Sequence, residues 1–450
     1  MRIFFGLLVA TATIASAGFG VTALVARHRL TIWENCALAW LFGTAVVSLT
    51  LWAGGTLMHG MALQIMVTGV CVVLGALGFA RWRTFPAENK TGSMNKAEIV
   101  FIALFGIELI AMFWLSFQRT LGWDGLFVWE IKAHYALLND GVLPAAFFGD
   151  ASRWFTNPDY PLLLPLTETW FYLWIGDCDQ FWIKFIFPLW YGAAMSILLL
   201  AAAEQSEKRF VGWIIVLLFL LIPAVHDRPG GFQSGFADGP MAAMYLAAVF
   251  YLLRFIRDGS RDAMALFIAL GAILPWMKPE GLALWATISS CGAIAIHQTR
   301  KNWSGAVLSF LPGICLIALW RIFLANVHVL PPQDFAVPSL GVLSHNIHRG
   351  SILYELFLQL IVWRDWGIFW GLPVIAMIAL LLRERSVRGA ALLWLFLAPL
   401  ACYCAVFLFS SQPDYIWHIE TSLGRHLLHL APIACLLIAL ALRPSKQRCS

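Results

Sequence analysis

Charge is scarce in this sequence. Only 12% of its 450 residues are Asp, Glu, Lys or Arg, against roughly 25% in a typical soluble domain. That shortage excludes an ordinary water-soluble enzyme. Disorder is excluded as well, because it needs low hydrophobicity and high net charge, and this chain is 60% hydrophobic with a net charge of +5. Paired cysteine motifs are also missing. None of the nine cysteines has the CxxC or CxxH spacing of a zinc site. Most of them (Cys36, Cys71, Cys291, Cys315, Cys402, Cys404 and Cys435) lie in apolar stretches, where a free thiol behaves as a small hydrophobe. No basic patch points to nucleic acid.

What the chain has instead is apolar length. Its mean hydropathy is +0.77, and a hydrocarbon core about 30 Å thick takes roughly 20 apolar residues per helical span. Apolar runs near 3–25, 35–57, 61–80, 98–117, 181–203, 210–225, 236–253, 264–277, 280–297, 304–325, 366–382, 389–410 and 423–442 predict about 13 spans. Two shorter runs, 160–176 and 352–363, are broken by proline or charge. They are expected as interfacial or re-entrant helices. The expected fold class is therefore all-α, a polytopic transmembrane helical bundle with interfacial helices in its first large outer loop. Residues 1–97 would form three N-terminal spans with a cytoplasmic loop, and 98–450 a membrane domain carrying the outer loop 118–160.

The few charges sort by side. Loops 26–34, 81–97, 204–209, 254–263, 298–303, 383–388 and 443–450 hold 19 of the 30 Lys and Arg residues, and the alternate loops hold 8. The positive-inside rule places the first set in the cytoplasm, with the N-terminus outside and the C-terminus inside. Arg2, an apolar run and Ala15-Ser16-Ala17 resemble a signal peptide. Cleavage there would put Arg81, Arg83, Lys90 and Lys96 outside, against the charge rule, so an uncleaved first span is expected. Sixteen of the 25 carboxylates and most of the 11 histidines fall in the outer set. A mere anchor has little reason to gather its polar groups on one face.

The first large outer loop opens with Gly122-Trp123-Asp124-Gly125 and continues at helical spacing through Trp129, Glu130, Lys132 and His134. Leu126, Trp129, Ile131 and Ala133 are expected against the membrane surface. Glu130 and His134, four residues apart, share a face. Asp124 stands where it either caps this helix or serves the chemistry. The loop closes with Asn157-Pro158-Asp159-Tyr160-Pro161-Leu162-Leu163-Leu164-Pro165, where two prolines bracket an apolar turn and break the entering helix.

These segments resemble the GT-C glycosyltransferases, in particular the protein O-mannosyltransferase and lipid A aminoarabinose transferase branch. The likeness rests on Trp123-Asp124, the helical Trp129-x-x-Lys132-Ala133, the closing Tyr160-Pro161-Leu162-Leu163, and three later segments. Those are Phe236-Ala237-Asp238-Gly239-Pro240-Met241, Trp276-Met277-Lys278-Pro279-Glu280-Gly281 and Thr421-Ser422-Leu423-Gly424-Arg425-His426-Leu427-Leu428-His429-Leu430-Ala431-Pro432, the last similar in its Ser-x-x-Arg. It covers roughly 98–442. Two departures stand out: three spans precede the acidic loop, and Gly125 stands where the mannosyltransferases carry the second residue of an Asp-Glu pair.

The resemblance implies transfer of a sugar from a polyprenyl-phosphate-linked donor to a glycan, lipid or protein acceptor at the outer surface of a bilayer, in a bacterial inner membrane. An acceptor hydroxyl needs a general base, for which Asp124 is the candidate, with Glu130 as a second catalytic carboxylate. A lipid-phosphate leaving group needs cations, for which Arg425, Lys278 and Lys132 are candidates. Snorkelling of Arg425 and Lys132 to headgroups, or a local pair of Lys278 with Glu280, accounts for the same residues structurally. His134, Asp159, Tyr160, Asp238 and Glu280 complete the expected substrate-binding set, and a helix-capping role for Asp238 stays open. His226-Asp227-Arg228 lie in another outer loop. His345 and His348 have metal-like spacing without a clear carboxylate partner, so no metal or other cofactor is assigned. The competing readings are a secondary transporter, which would show internal repeats and midplane charges, and a surface-polysaccharide polymerase or ligase. Glu108 and Arg321 are the main mid-span charges.

Overall fold

The computed structural model describes residues 1–86, 96–226, 228–332, 334–383 and 386–444. Asp227 of the His226-Asp227-Arg228 segment lies outside the described residues. Among those described, the regular elements are helices, with one isolated bridge between Phe335 and Ser410. Nine helices among them are long and apolar enough to cross a membrane: Arg2–Val25, Ile32–Gly54, Gly60–Arg83, Lys96–Gln118, Gln180–Ser206, Asp238–Asp258, Trp303–Asn326, Val387–Phe409 and Tyr415–Ala441. That is the pattern of a multi-pass membrane protein.

The other four expected spans take shorter or more polar forms. Arg209–Leu220, Arg261–Ile273 and Gly371–Arg383 have 12, 13 and 13 residues. At a rise of about 1.5 Å per residue they extend about 20 Å, two thirds of a hydrocarbon core. Gly281–Arg300 has 20 residues but carries Thr287, Ser289, Ser290, His297 and Gln298. The segment expected at 160–176 is a helix, Leu163–Ile175, with 11 side chains buried from Leu163 to Ile175. It packs inside the bundle against the first two helices rather than along a surface.

Small residues set the closest crossing. A Cβ on Gly18 would lie 1.9 Å from the Ala39 carbonyl oxygen, and one on Gly43 would lie 2.1 Å from that of Ile14. Only glycine lets these two backbones meet so closely, as at many helix contacts in membranes. The most enclosed element is Asp238–Asp258, buried almost throughout. It packs against the last helix, Tyr415–Ala441, and both carry polar groups near the same end of the bundle.

The two loop sets separate in space. His28 pairs with Asp262, Arg209 with Glu98, Arg254 with Glu34 and Glu204, and Arg443 with Glu207, all within the base-rich set or at the helix ends beside it. Arg228 pairs with Asp365, Lys278 with Asp238, and Arg425 with Asp124, all within the acid-rich set. The bundle thus has a basic end and an acidic end.

Candidate active site

Four stretches meet at the acidic end. The first is the Gly122–Gly125 turn. The Gly122 N–H donates to the Ser234 carbonyl at 2.7 Å. A Cβ on Gly122 would lie 2.6 Å from the Phe236 ring, and one on Gly125 would lie 2.7 Å from the Ser234 carbonyl oxygen. Both glycines are therefore needed to lay this turn on the 234–236 backbone. That contact delivers Asp124 to the last helix, where its carboxylate pairs with the Arg425 guanidinium, 301 residues away in sequence. Asp124 makes no side-chain capping bond, so its carboxylate serves this pair rather than the helix start. Arg425 also donates to the Ser422 hydroxyl at 3.4 Å and lies 5.4 Å from the Phe236 ring centre.

Behind this pair is a second, buried network. Asp238 opens its helix, but its side chain does not cap. Its Oδ1 accepts from Lys278 Nζ at 2.8 Å and from His429 Nε2 at 2.9 Å. Lys278 also lies 3.0 Å from Glu280 Oε1, which accepts from His426 Nε2 at 3.0 Å. The other nitrogen of His429, Nδ1, lies 3.0 Å from the Tyr403 hydroxyl. With Nε2 donating to Asp238, Nδ1 accepts from Tyr403, so neutral His429 satisfies both contacts. The Pro279 break between two helices is what turns Lys278 and Glu280 toward each other's neighbours.

The network is incomplete within the protein. Asp238 Oδ2, Glu280 Oε2, Arg425 Nε and His426 Nδ1 are buried and have no hydrogen-bond partner. Leaving a buried polar atom unpaired costs about 1–3 kcal/mol, so each of the four calls for an explanation. They are not alone in the fold, where both Glu168 oxygens and Arg443 Nε are buried and unpartnered as well.

Two cavities adjoin the network. The larger, about 1320 Å³, is lined by Asp124, Arg425, Trp123 and Trp417 among others. The smaller, about 590 Å³, is lined by Glu280, His426, Tyr403, Asp159 and Arg321 and also by Leu282, Ala283, Leu324 and Val406. Asn157, Tyr160 and Asp334 line both, so the cavities are neighbours. The smaller one is bounded by three helices that carry apolar side chains to it, Gly281–Arg300, Leu311–Asn326 and Val387–Val406.

Of the residues expected from the sequence, Asp124, Asp159, Tyr160, Asp238, Lys278, Glu280 and Arg425 gather here. Three others do not. Residues Gly125–Glu130 form a π-helical turn rather than α-helix. The following segment is tucked into the bundle, with Trp129 and Ala133 buried instead of lying along a membrane surface. Glu130 accepts from the Tyr172 hydroxyl at 2.8 Å and from Gln180 at 3.1 Å, turned away from both cavities. Burial pushes its carboxyl up from the usual range, partly offset by those two hydrogen bonds and by His134. His134 lies 3.7 Å from the Cys178 thiol. Lys132 is fully buried and donates to the Asn157 carbonyl at 2.8 Å. It holds the turn that carries Asp159 and Tyr160 to the cavities. Burial lowers its ammonium to about 7, with nearby Asp159 opposing that shift, and burial likewise raises Asp159.

Sequence reasoning gave no site role to His426, His429, Ser422, Tyr403 and Asp334. The first three were legible. Together with Arg425 they stand at i, i+3, i+4 and i+7 of the last helix, a polar stripe on one face. The rings of His345 and His348 lie 6.2 Å apart, and no group of three or more metal-ligating side chains is assembled among the described residues. Comparison with models of known protein families, with curated proteins and with solved structures found no match.

Proposed function

We propose that the chain is a membrane glycosyltransferase of the GT-C type. In this reading it moves a sugar from a polyprenyl-phosphate donor to an acceptor at the non-cytoplasmic face of a bacterial inner membrane. One observation carries the reading: Asp124 and Arg425, distant in sequence, line one of two adjoining cavities, Glu280 lines the other, which is flanked by apolar helices, and buried Lys278 stands behind them against Asp238 and Glu280. An amphipathic donor needs such a junction, with room for its tail on one side and for its sugar and acceptor on the other. The excess of bases at the opposite end supports the orientation. The four shorter or more polar helices then complete a bundle of about 13 membrane-entering segments, with 98–450 as the catalytic part.

In this reading the donor phosphate lies at Arg425, whose Nε has no partner within the protein, while buried Lys278 adds its charge from behind through Asp238 and Glu280. The acceptor hydroxyl oxygen attacks the anomeric carbon. The bond from that carbon to the phosphate oxygen breaks, and the lipid phosphate leaves with the electron pair. The hydroxyl proton passes to Asp124 as general base. Glu280 is the second carboxylate at the junction. Glu130, turned away, has a structural part instead.

The test is reconstitution in nanodiscs with a panel of labelled polyprenyl-phosphate sugars and a cell-envelope extract as acceptor. Label should move to the acceptor, and Arg425→Gln should cut the rate about 10²–10³-fold. Failure to turn over any donor would overturn the reading. For the orientation, Asp150→Cys should react with an impermeant maleimide only from the non-cytoplasmic side.

A further inference from the structure

If the chain is a transferase as proposed above, the larger cavity falls to the acceptor, and its lining bears on what that acceptor is. Its volume of about 1320 Å³ exceeds the ~300–1,000 Å³ of pockets for drug-sized molecules. Aromatic rings stand open in its wall: Trp123 is 70% exposed, Trp417 54% and Phe155 46%. Rings of an interfacial belt face lipid headgroups, whereas these line a cavity shared with Asp124, Arg425, Gln118 and Asn157. Trp123 is braced by Phe127, with ring centres 4.5 Å apart, which limits the orientations it can take.

Charge narrows the ligand further. Among the described lining residues, four carboxylates (Asp124, Asp334, Asp365, Glu420) face three guanidinium groups. Asp124 pairs with Arg425, and Asp365 with Arg228 at 3.1 Å. No surplus of positive charge remains for an acceptor decorated with phosphates, which would call for clustered bases. The amides of Gln118, Asn157 and Gln359 also line the space. Flat apolar rings interleaved with short hydrogen-bonding groups are the complement of a pyranose, which has an apolar C–H face and a rim of hydroxyls.

We infer that the larger cavity binds a neutral oligosaccharide acceptor, stacked on Trp123 and Trp417 and hydrogen-bonded through its hydroxyls to the carboxylates and amides between them. The size of the cavity gives room for several sugar units, so affinity should rise with chain length.

Isothermal titration of the full-length protein in nanodiscs tests this, using neutral hexose oligomers of one to six units, a Ser/Thr-rich peptide, a phosphorylated glycolipid and a polyprenyl-phosphate sugar. The expected result is binding of neutral oligomers that tightens at least tenfold from one unit to four. The double variant Trp123→Ala with Trp417→Ala should weaken it at least tenfold. Trp123→Phe with Trp417→Phe, which keeps the rings and guards against misfolding, should retain most of it. If the donor lipid binds but no neutral oligomer does, or if the peptide or the phosphorylated glycolipid binds better, the inference falls while the transferase reading stands. If oligomers bind and the donor lipid does not, the ligand class stands and the transferase reading falls.

Discussion

Two networks of buried charge, one at each end of this bundle, are built in different ways. At the basic end, Arg254 sits between Glu34 and Glu204. Arg257 donates to the second oxygen of Glu204 at 2.8 Å. Tyr251 donates to Glu34 at 3.0 Å, and the Thr31 hydroxyl and N–H take its other oxygen at 2.9 and 3.0 Å. Both oxygens of each glutamate are used, and none of these groups lines either cavity. At the acidic end the acids and bases also pair, yet four polar atoms stay buried and unmatched, three of them on residues that line a cavity (Arg425, Glu280 and His426). A closed network fastens three helices, Ile32–Gly54, Gln180–Ser206 and Asp238–Asp258. An open one holds charges in place for a ligand. The difference teaches that burial of charge alone does not single out a site; what sets the acidic network apart is that its unmatched atoms adjoin two cavities.

The largest effect that would break this contrast is at Asp124. Asp124→Asn should lower transfer about 10²–10⁴-fold, with donor-lipid binding kept and a fall in thermal stability smaller than that of Arg254→Met, because Asp124 is 27% exposed and the asparagine amide oxygen still accepts from Arg425. Wild-type activity in that variant would remove the base assignment. The mirror experiment is Arg254→Met at the other end. It strands a buried Glu34, only 2% exposed, and removing one partner of a buried pair costs about 3–5 kcal/mol. Its Tm should fall sharply, while the rate per folded molecule at low temperature holds. If Arg254→Met lost activity without losing stability, the two ends would not differ as argued.

How much of this was legible in the sequence depends on the kind of signal. Lys278, Glu280 and Arg425 were legible because ionisable groups are costly in apolar surroundings and rarely stand there without a task. Asp238 and Asp124 were legible as positions, but capping explained them equally well until the side chains were seen to point elsewhere. Glu130, Lys132 and His134 were misplaced for a geometric reason. Their direction was read from regular helical spacing, and the π-helical turn at Gly125–Glu130 closes i→i+5 bonds, which turns the residues that follow out of that register. No local pattern announces such a turn. Tyr403 and Asp334 were beyond reach because only the packing of distant elements brings them to the cavities.

A smaller effect lies in the strut beneath the site. Lys132 has its ammonium lowered to about 7 by burial, so between about pH 7 and 10 the unfolded chain binds a proton that the folded chain has released. Stability should therefore rise with pH across that window, by at most about 1.4 kcal/mol per pH unit. Lys132→Met should flatten the slope. It should also raise KM more than it lowers kcat, because the Asn157–Tyr160 turn loses its tether but no group leaves the cavities. A slope unchanged in the variant would assign the pH dependence to another group.

The smallest effect bears on whether the acidic end is truly open. Tyr403→Phe removes the hydroxyl that His429 Nδ1 accepts from and leaves the ring packed in place. An ordinary hydrogen bond contributes about 0.5–1.5 kcal/mol, so the loss in stability should be near 1 kcal/mol by thermal denaturation. In a closed network the cost would end there. In an open one, His429 is freed to change its tautomer or tilt, and Asp238 then shares Lys278 differently with Glu280. Transfer should thus fall several-fold more than the stability loss predicts, with Tyr245→Phe as the control. Tyr245 is a fully buried tyrosine whose hydroxyl donates instead to the Leu395 carbonyl, without a hydrogen bond to the network. Equal losses of activity in the two variants would show that Tyr403 merely packs, and that the open part of the network stops at Glu280 and His426.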